Sequence, residues 1–144
     1  MKMNFFVVAK LLSSTTALLF SGYLAFALSL IAILLKGWQS IEFWIFIVIT
    51  LLLSFTHHYI SFRVKFDAQL IEMMAQESKI ESIENLTQQF DQSLVSIKLM
   101  PESKAGRDWS VRFAGCFKLL KIQIALLLLQ YFVLIILIYR LLAQ

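Results

Sequence analysis

The side chains best suited to chemistry in this 144-residue chain are two adjacent histidines, His57 and His58, in the stretch Thr-His-His-Tyr-Ile-Ser-Phe-Arg (56–63). Imidazoles bind metals and haem, and they titrate near neutral pH. The spacing weighs against a shared metal. Neighbours on a helix point about 100° apart, and a helical zinc site wants ligands at i and i+4 with a carboxylate or thiolate nearby. Positions 53, 54, 61 and 62 are Leu, Ser, Ser and Phe. A haem could take one of the two histidines, with its second axial ligand drawn from elsewhere. A structural or interfacial role is the expectation for both, and a cofactor or pH site is the lesser alternative. No catalytic residue, metal or cofactor is expected. The four glycines form no phosphate loop, there is no G-x-S-x-G, and Cys116 is the one cysteine.

The elements that must carry these side chains follow from where charge is missing. The chain is 60% hydrophobic and 15% charged, with mean hydropathy +0.79. Soluble domains are nearer a quarter charged. Uncharged runs cover 11–35, 43–62 and 122–139. A hydrocarbon core of roughly 30 Å needs about 17–25 helical residues, and only helices or closed barrels satisfy the backbone in lipid. These runs are too long for barrel strands of roughly 10 residues. The expected fold is an all-α integral membrane protein with three transmembrane helices and a cytoplasmic helical extension between the second and third. Residues 1–60 then hold the N-terminal segment and the first two spans, 61–121 the extension, and 122–144 the third span. Ala25-Phe26-Ala27 imitates a signal-peptidase site, but the apolar run continues to Leu35, so an uncleaved span is expected.

Lysine and arginine orient the chain. Nine of the thirteen lie in 61–121, and Lys2 and Lys10 join them on the same side. Lys36 and Arg140 stand on the other. The N-terminus and loop 61–121 are therefore expected in the cytoplasm, loop 36–42 and the C-terminus outside, and the membrane is the inner (plasma) membrane if the source is bacterial. The sequon Asn85-Leu86-Thr87 falls on the cytoplasmic side, as does Cys116, where thiols stay reduced.

The extension reads as folded. Phe62, Phe66, Leu70, Met73 and Met74 share one helical face, so the second span is expected to run on to about Gln76. Ser78 to Glu81 resembles a capping box opening a helix with the stripe Ile80, Ile83, Leu86, Phe90, Leu94 and Ile97. Pro101 stops it. Gly106 and Asp108 supply a turn and an N-cap for a helix carrying Trp109, Phe113, Phe117, Leu120 and Ile124 into the last span. Three such stripes can bury one another, which predicts a small bundle; the rival is a helix 80–97 lying flat on the lipid, for which its acidic polar face is unsuited. Asp67, Glu72, Glu77, Glu81, Glu84 and Asp91 against Lys79 give residues 67–97 six minus one, or net −5. An acidic tip excludes nucleic acid as partner. Arg63, Lys65, Arg112, Lys118 and Lys121 are expected against lipid head groups.

Two patterns lie inside the spans. Ser13, Ala17, Ser21, Ala25 and Ser29 recur every four residues, a small-residue row that admits a close helix. Thr50, Ser54, Gln123 and Gln130 place hydrogen-bonding groups on the second and third spans. Charged side chains, the usual mark of pumps and relays, are lacking in all three runs. The expected function is non-enzymatic: an accessory, scaffold or assembly subunit of a larger membrane complex, whose partners are the bilayer and another integral membrane protein or a second copy. The alternatives are a homo-oligomeric channel or transport component and, third, a haem- or quinone-binding redox subunit.

Overall fold

The computed structural model describes residues 2–36, 41–78, 80 and 82–143. Five α-helices follow in order: α1 (Lys2–Ser13), α2 (Thr16–Lys36), α3 (Ile41–Glu77), α4 (Ile83–Ser96) and α5 (Trp109–Leu142). No strand occurs among the described residues. Three helical stretches, Met3–Leu35, Ile41–Glu77 and Trp109–Leu142, are long and apolar enough to cross a membrane.

At 1.5 Å per residue, α3 is about 55 Å long and α5 about 51 Å. Together α1 and α2 make a third rod of similar length, broken once. The break sits at Ser13-Ser14-Thr15-Thr16, where every hydroxyl donates to the carbonyl three residues back: Ser13 to Lys10, Ser14 to Leu11, Thr15 to Leu12 and Thr16 to Ser13, at 2.9, 2.7, 2.6 and 3.0 Å. Such back-bonding competes with the helical ladder and bends it. Thr15 N–H accordingly reaches Leu12 O rather than the carbonyl four back.

Past this bend α1 lies along the distal half of α3. Phe5, Val8, Ala9 and Leu12 form one core with Val64, Ala68, Ile71, Met74 and Ala75 of α3, Leu86 of α4 and Trp109 of α5. The extension is thus a four-helix cluster, and α1, which the charge pattern only attached to the approach of the first span, supplies one of its walls. Trp109 is the hub. Its ring packs 4.6 Å from Phe5, 5.8 Å from Phe113 and 6.1 Å from Phe90 between centroids, and its Nε1 donates to Thr87 Oγ1 at 2.9 Å. A second core, Ala32, Ile33, Phe43, Val133 and Leu137, closes the opposite end, where α2 meets α3.

The helix limits differ from the sequence reading in two places. α3 ends at Glu77, but Ser78 is buried, its hydroxyl donating to Ala75 O at 2.9 Å. The N-cap of α4 is instead Ser82, whose Oγ accepts from Asn85 N; Glu81, the other half of the expected box, lies outside the described residues, as do Lys79 and 37–40. α4 also stops before Pro101, at Ser96, because Lys98 takes a left-handed φ of 58°. Ile80 and Ile97, at the ends of the apolar stripe, therefore stay exposed, while Ile83, Leu86 and Phe90 turn inward. Asp108 caps α5, its Oδ1 accepting from Trp109 N at 2.8 Å.

Candidate functional site

Between the two apolar cores the three long rods enclose a polar seam. It starts at Ser61, whose Oγ accepts from Gln123 Nε2 at 2.9 Å; Gln123 is wholly buried. One turn along α3, His57 is buried with its ring against Gly22 of α2. A Cβ at Gly22 would overlap Nδ1 and Cε1 of that ring and stand 3.1 Å from Gln130 Oε1. Gly22, His57 and Gln130 therefore meet at one level, one residue from each rod. Thr50 lies two turns further along α3, and a cavity of about 10 Å³ between the rods is lined by Ala25, Phe26, Ser29, Thr50, Leu53, Val133 and the near part of Gln130. From Thr50 to Ser61 the seam is about 16 Å long.

Two tyrosines bind its margins. Tyr131 Oη and Ser21 Oγ are 2.8 Å apart, which ties α5 to α2. Tyr23 Oη lies 2.6 Å from His58 Nδ1, which ties α2 to α3 on the exposed side. Both were overlooked in the sequence reading, as was Gly22. The signal available for Gly22 was its place beside Ser21 in a row of small residues; a tyrosine in an apolar run carries no mark of its partner.

The two histidines thus have separate surroundings. His57 is enclosed, with no face open to a planar cofactor. His58 is exposed and engaged by Tyr23. No group of three His, Cys, Asp or Glu able to hold a metal occurs among the described residues. Within the small-residue row, Ala25 and Ser29 are buried against the other rods, Ser21 is half-buried, and Ser13 and Ala17 are exposed. Ser54 is half-buried beside the seam.

In the extension, Arg63, Lys65, Lys118 and Lys121 are exposed, but Arg112 turns inward. Its guanidinium holds both carboxylate oxygens of Asp91, each at 2.8 Å, and lies 4.9 Å from the centroid of the Trp109 ring. Gly106 N–H adds a third bond to Asp91, at 2.7 Å. Burial pushes the Asp91 carboxyl up, but the Arg112 bonds, the Gly106 N–H and the charges of Arg112 and Arg107 outweigh it and hold the group below the ordinary carboxylate range. Cys116 Sγ stands 3.8 Å from Asp67 Oδ2. Burial first, then the Asp67 charge and hydrogen bond, pushes this thiol up to about 12. Burial likewise raises Asp67, against the pull of Arg63. An open cleft of about 1040 Å³ runs between α4 and residues 102–109, with Glu84 and Glu102 exposed along it and Trp109 at its base.

One further feature lies on α1. Its inner face is in the core, yet Met3, Val7 and Leu11, one stripe at i, i+4 spacing, are 73%, 59% and 46% exposed. They sit beside the charged half of α3, where Arg63, Lys65, Asp67 and Glu72 stand. Neither the protein-family models, the curated proteins nor the solved structures contain a match to this chain.

Proposed function

We propose that this chain is an integral membrane accessory or assembly subunit that docks a helix of another integral membrane protein. In this reading the three rods cross the bilayer, the N-terminus and residues 61–121 face the cytoplasm, and the C-terminus lies outside. The observation that carries it is the Met3–Val7–Leu11 stripe. A contiguous apolar face in a water-exposed region is the usual mark of a protein contact. Here it is set level with charged residues of α3 that lipid tails would not tolerate. A partner helix rising from the same membrane would cover it, with Lys10 at its edge, and the acidic cleft at the tip offers a second place to hold that partner.

The polar seam supports this reading over the channel. Thr50, Gln123 and Gln130 are buried inside one copy, so a pore between copies would lack them as lining. The test is native mass spectrometry of the gently solubilised assembly with co-purifying chains identified. A second protein in fixed ratio, released by Val7→Lys without loss of the helical fold, is the expected result. Monomer alone, under conditions that keep lipids bound, would refute the docking role. A ring of identical copies would replace it with the channel.

A further inference from the structure

We infer that the cleft between α4 and residues 102–109 is a docking site for a cationic segment of another protein, a short stretch of Lys and Arg that carries an apolar side chain. Its occupant is the partner of the proposed accessory role, gripped at a second place besides the Met3–Val7–Leu11 stripe, so the site rests on that reading. The cleft is open and about 1040 Å³. That is the upper end of the range for ligand clefts, and it suits a peptide rather than a small molecule. The floor is apolar, made by Ile83 and Val95 of α4 with Ala105 and Trp109. Ile83 and Trp109 also pack into the core of the extension, so this floor is set before anything binds. An apolar floor inside a polar rim takes an apolar anchor ringed by charge.

The charge of the rim decides the charge of the occupant. Glu84, Asp91, Glu102 and Asp108 line the cleft against Arg107, and Arg112 reaches in to pair with Asp91; four minus two leaves net −2. Asp91 is spent on Arg112 and Gly106, and Asp108 on Trp109 N and Ser110 Oγ. Glu84 and Glu102 are the carboxylates left over, and neither has a partner among the described residues. Arg107 turns its Nε to Lys104 O at 3.2 Å. Lipid is the wrong occupant. Trp109 stands twelve residues before Lys121 on α5, about 18 Å along the helix, and an acidic rim repels anionic head groups. An integral membrane partner carries its Lys and Arg on the cytoplasmic side by the same rule that orients this chain. The stripe leads toward the cleft: Phe5, two residues from Met3, packs 4.6 Å from Trp109 at its floor.

The experiment titrates the whole protein in phosphatidylcholine nanodiscs with a synthetic Lys/Leu peptide, its Glu/Leu counterpart and an all-Lys peptide of the same length. Trp38→Phe with Trp44→Phe leaves Trp109 as the reporter tryptophan, and empty discs correct for adsorption to lipid. The Lys/Leu peptide should shift Trp109 emission saturably and slow amide exchange across 83–96. Affinity should fall about five-fold in Glu84→Gln/Glu102→Gln at low salt. It should be lost in Gln88→Arg, which sets a cation in the cleft. All three positions are exposed, so the fold is kept. Equal binding by the three chains, or saturation by the Glu/Leu peptide, would overturn the site. An emission shift with protein concentration alone would overturn it in favour of a second copy, and all-Lys binding as tight as Lys/Leu would overturn the apolar anchor. No peptide binding, while Val7→Lys still releases a second protein, would overturn the cleft and leave the accessory role standing. Peptide binding with no second protein in native mass spectrometry would overturn the accessory role instead.

Discussion

Gly22 shows what a single position contributes here. A glycine inside a helix costs about 0.5–1 kcal/mol relative to alanine, so its presence calls for a use. The use is the imidazole of His57, which occupies the space a Cβ would need. Gly22→Ala should therefore destabilise despite its better helix propensity, by about 1–3 kcal/mol through overpacking. The check is Tm in detergent or lipid. Adding His57→Ala to the same chain should restore most of the loss, because the clash partner is gone. A Gly22→Ala protein that melts higher than wild type would show the seam to be looser than this. Nothing around Gly22 in the sequence says what it faces, since in a uniformly apolar run every side of the helix reads alike. His57 and Gln130 stood out as polar residues, but not as neighbours.

At the level of elements, α4 is the least anchored helix, and one ion pair governs how it docks. Arg112 and Asp91 tie it to α5, with Trp109 packed beneath the guanidinium. Arg112→Ala leaves the Asp91 charge buried and unpaired, which should cost about 3 kcal/mol and raise amide exchange throughout 83–96. The pH dependence follows from the same pair. Because the folded carboxyl of Asp91 is held below its ordinary value, its contribution is fully present above the ordinary carboxylate range, near about 4. It is lost as pH falls through the lowered folded value. Asp67 is raised, so its protonation favours the folded state, and acid loosening should be confined to α4. Hydrogen exchange on descending pH should show 83–96 opening while 43–62 stays protected; simultaneous opening would refute the division. The elements were partly legible in the sequence. Apolar spacing carried α3 to within a residue of its end, and Asp108 marked the start of α5. Ser78 and Ser82 are both followed by polar residues at the third position, and spacing alone does not separate them. The docking of α1 was hidden because Met3, Val7 and Leu11 on its outer face are as apolar as Phe5, Val8 and Leu12 on its inner one, so the pattern gives no direction. The Ser-Ser-Thr-Thr bend that swings it onto α3 acts through hydroxyl bonds to its own backbone.

At the scale of the whole molecule, the layers alternate: an apolar core in the extension, a polar seam, and a second apolar core around Ile33, Phe43 and Leu137. That order makes each rod's register depend on the other two. Orientation in the membrane remains the proposal on which docking depends, and Cys116 makes it simple to test. Maleimides react with thiolate, and a thiol pushed up to about 12 holds on the order of one thiolate in 10⁵ at pH 7. Native protein should therefore stay unlabelled by a membrane-impermeant maleimide on either side. Single cysteines can then be added without replacing Cys116. Ser93→Cys, on the exposed side of α4, should label only after the cytoplasmic face is opened. Gln39→Cys, between α2 and α3, should label in intact cells. The reverse pattern would put the Met3–Val7–Leu11 stripe outside, and the docking partner would then have to be sought on the other side of the membrane.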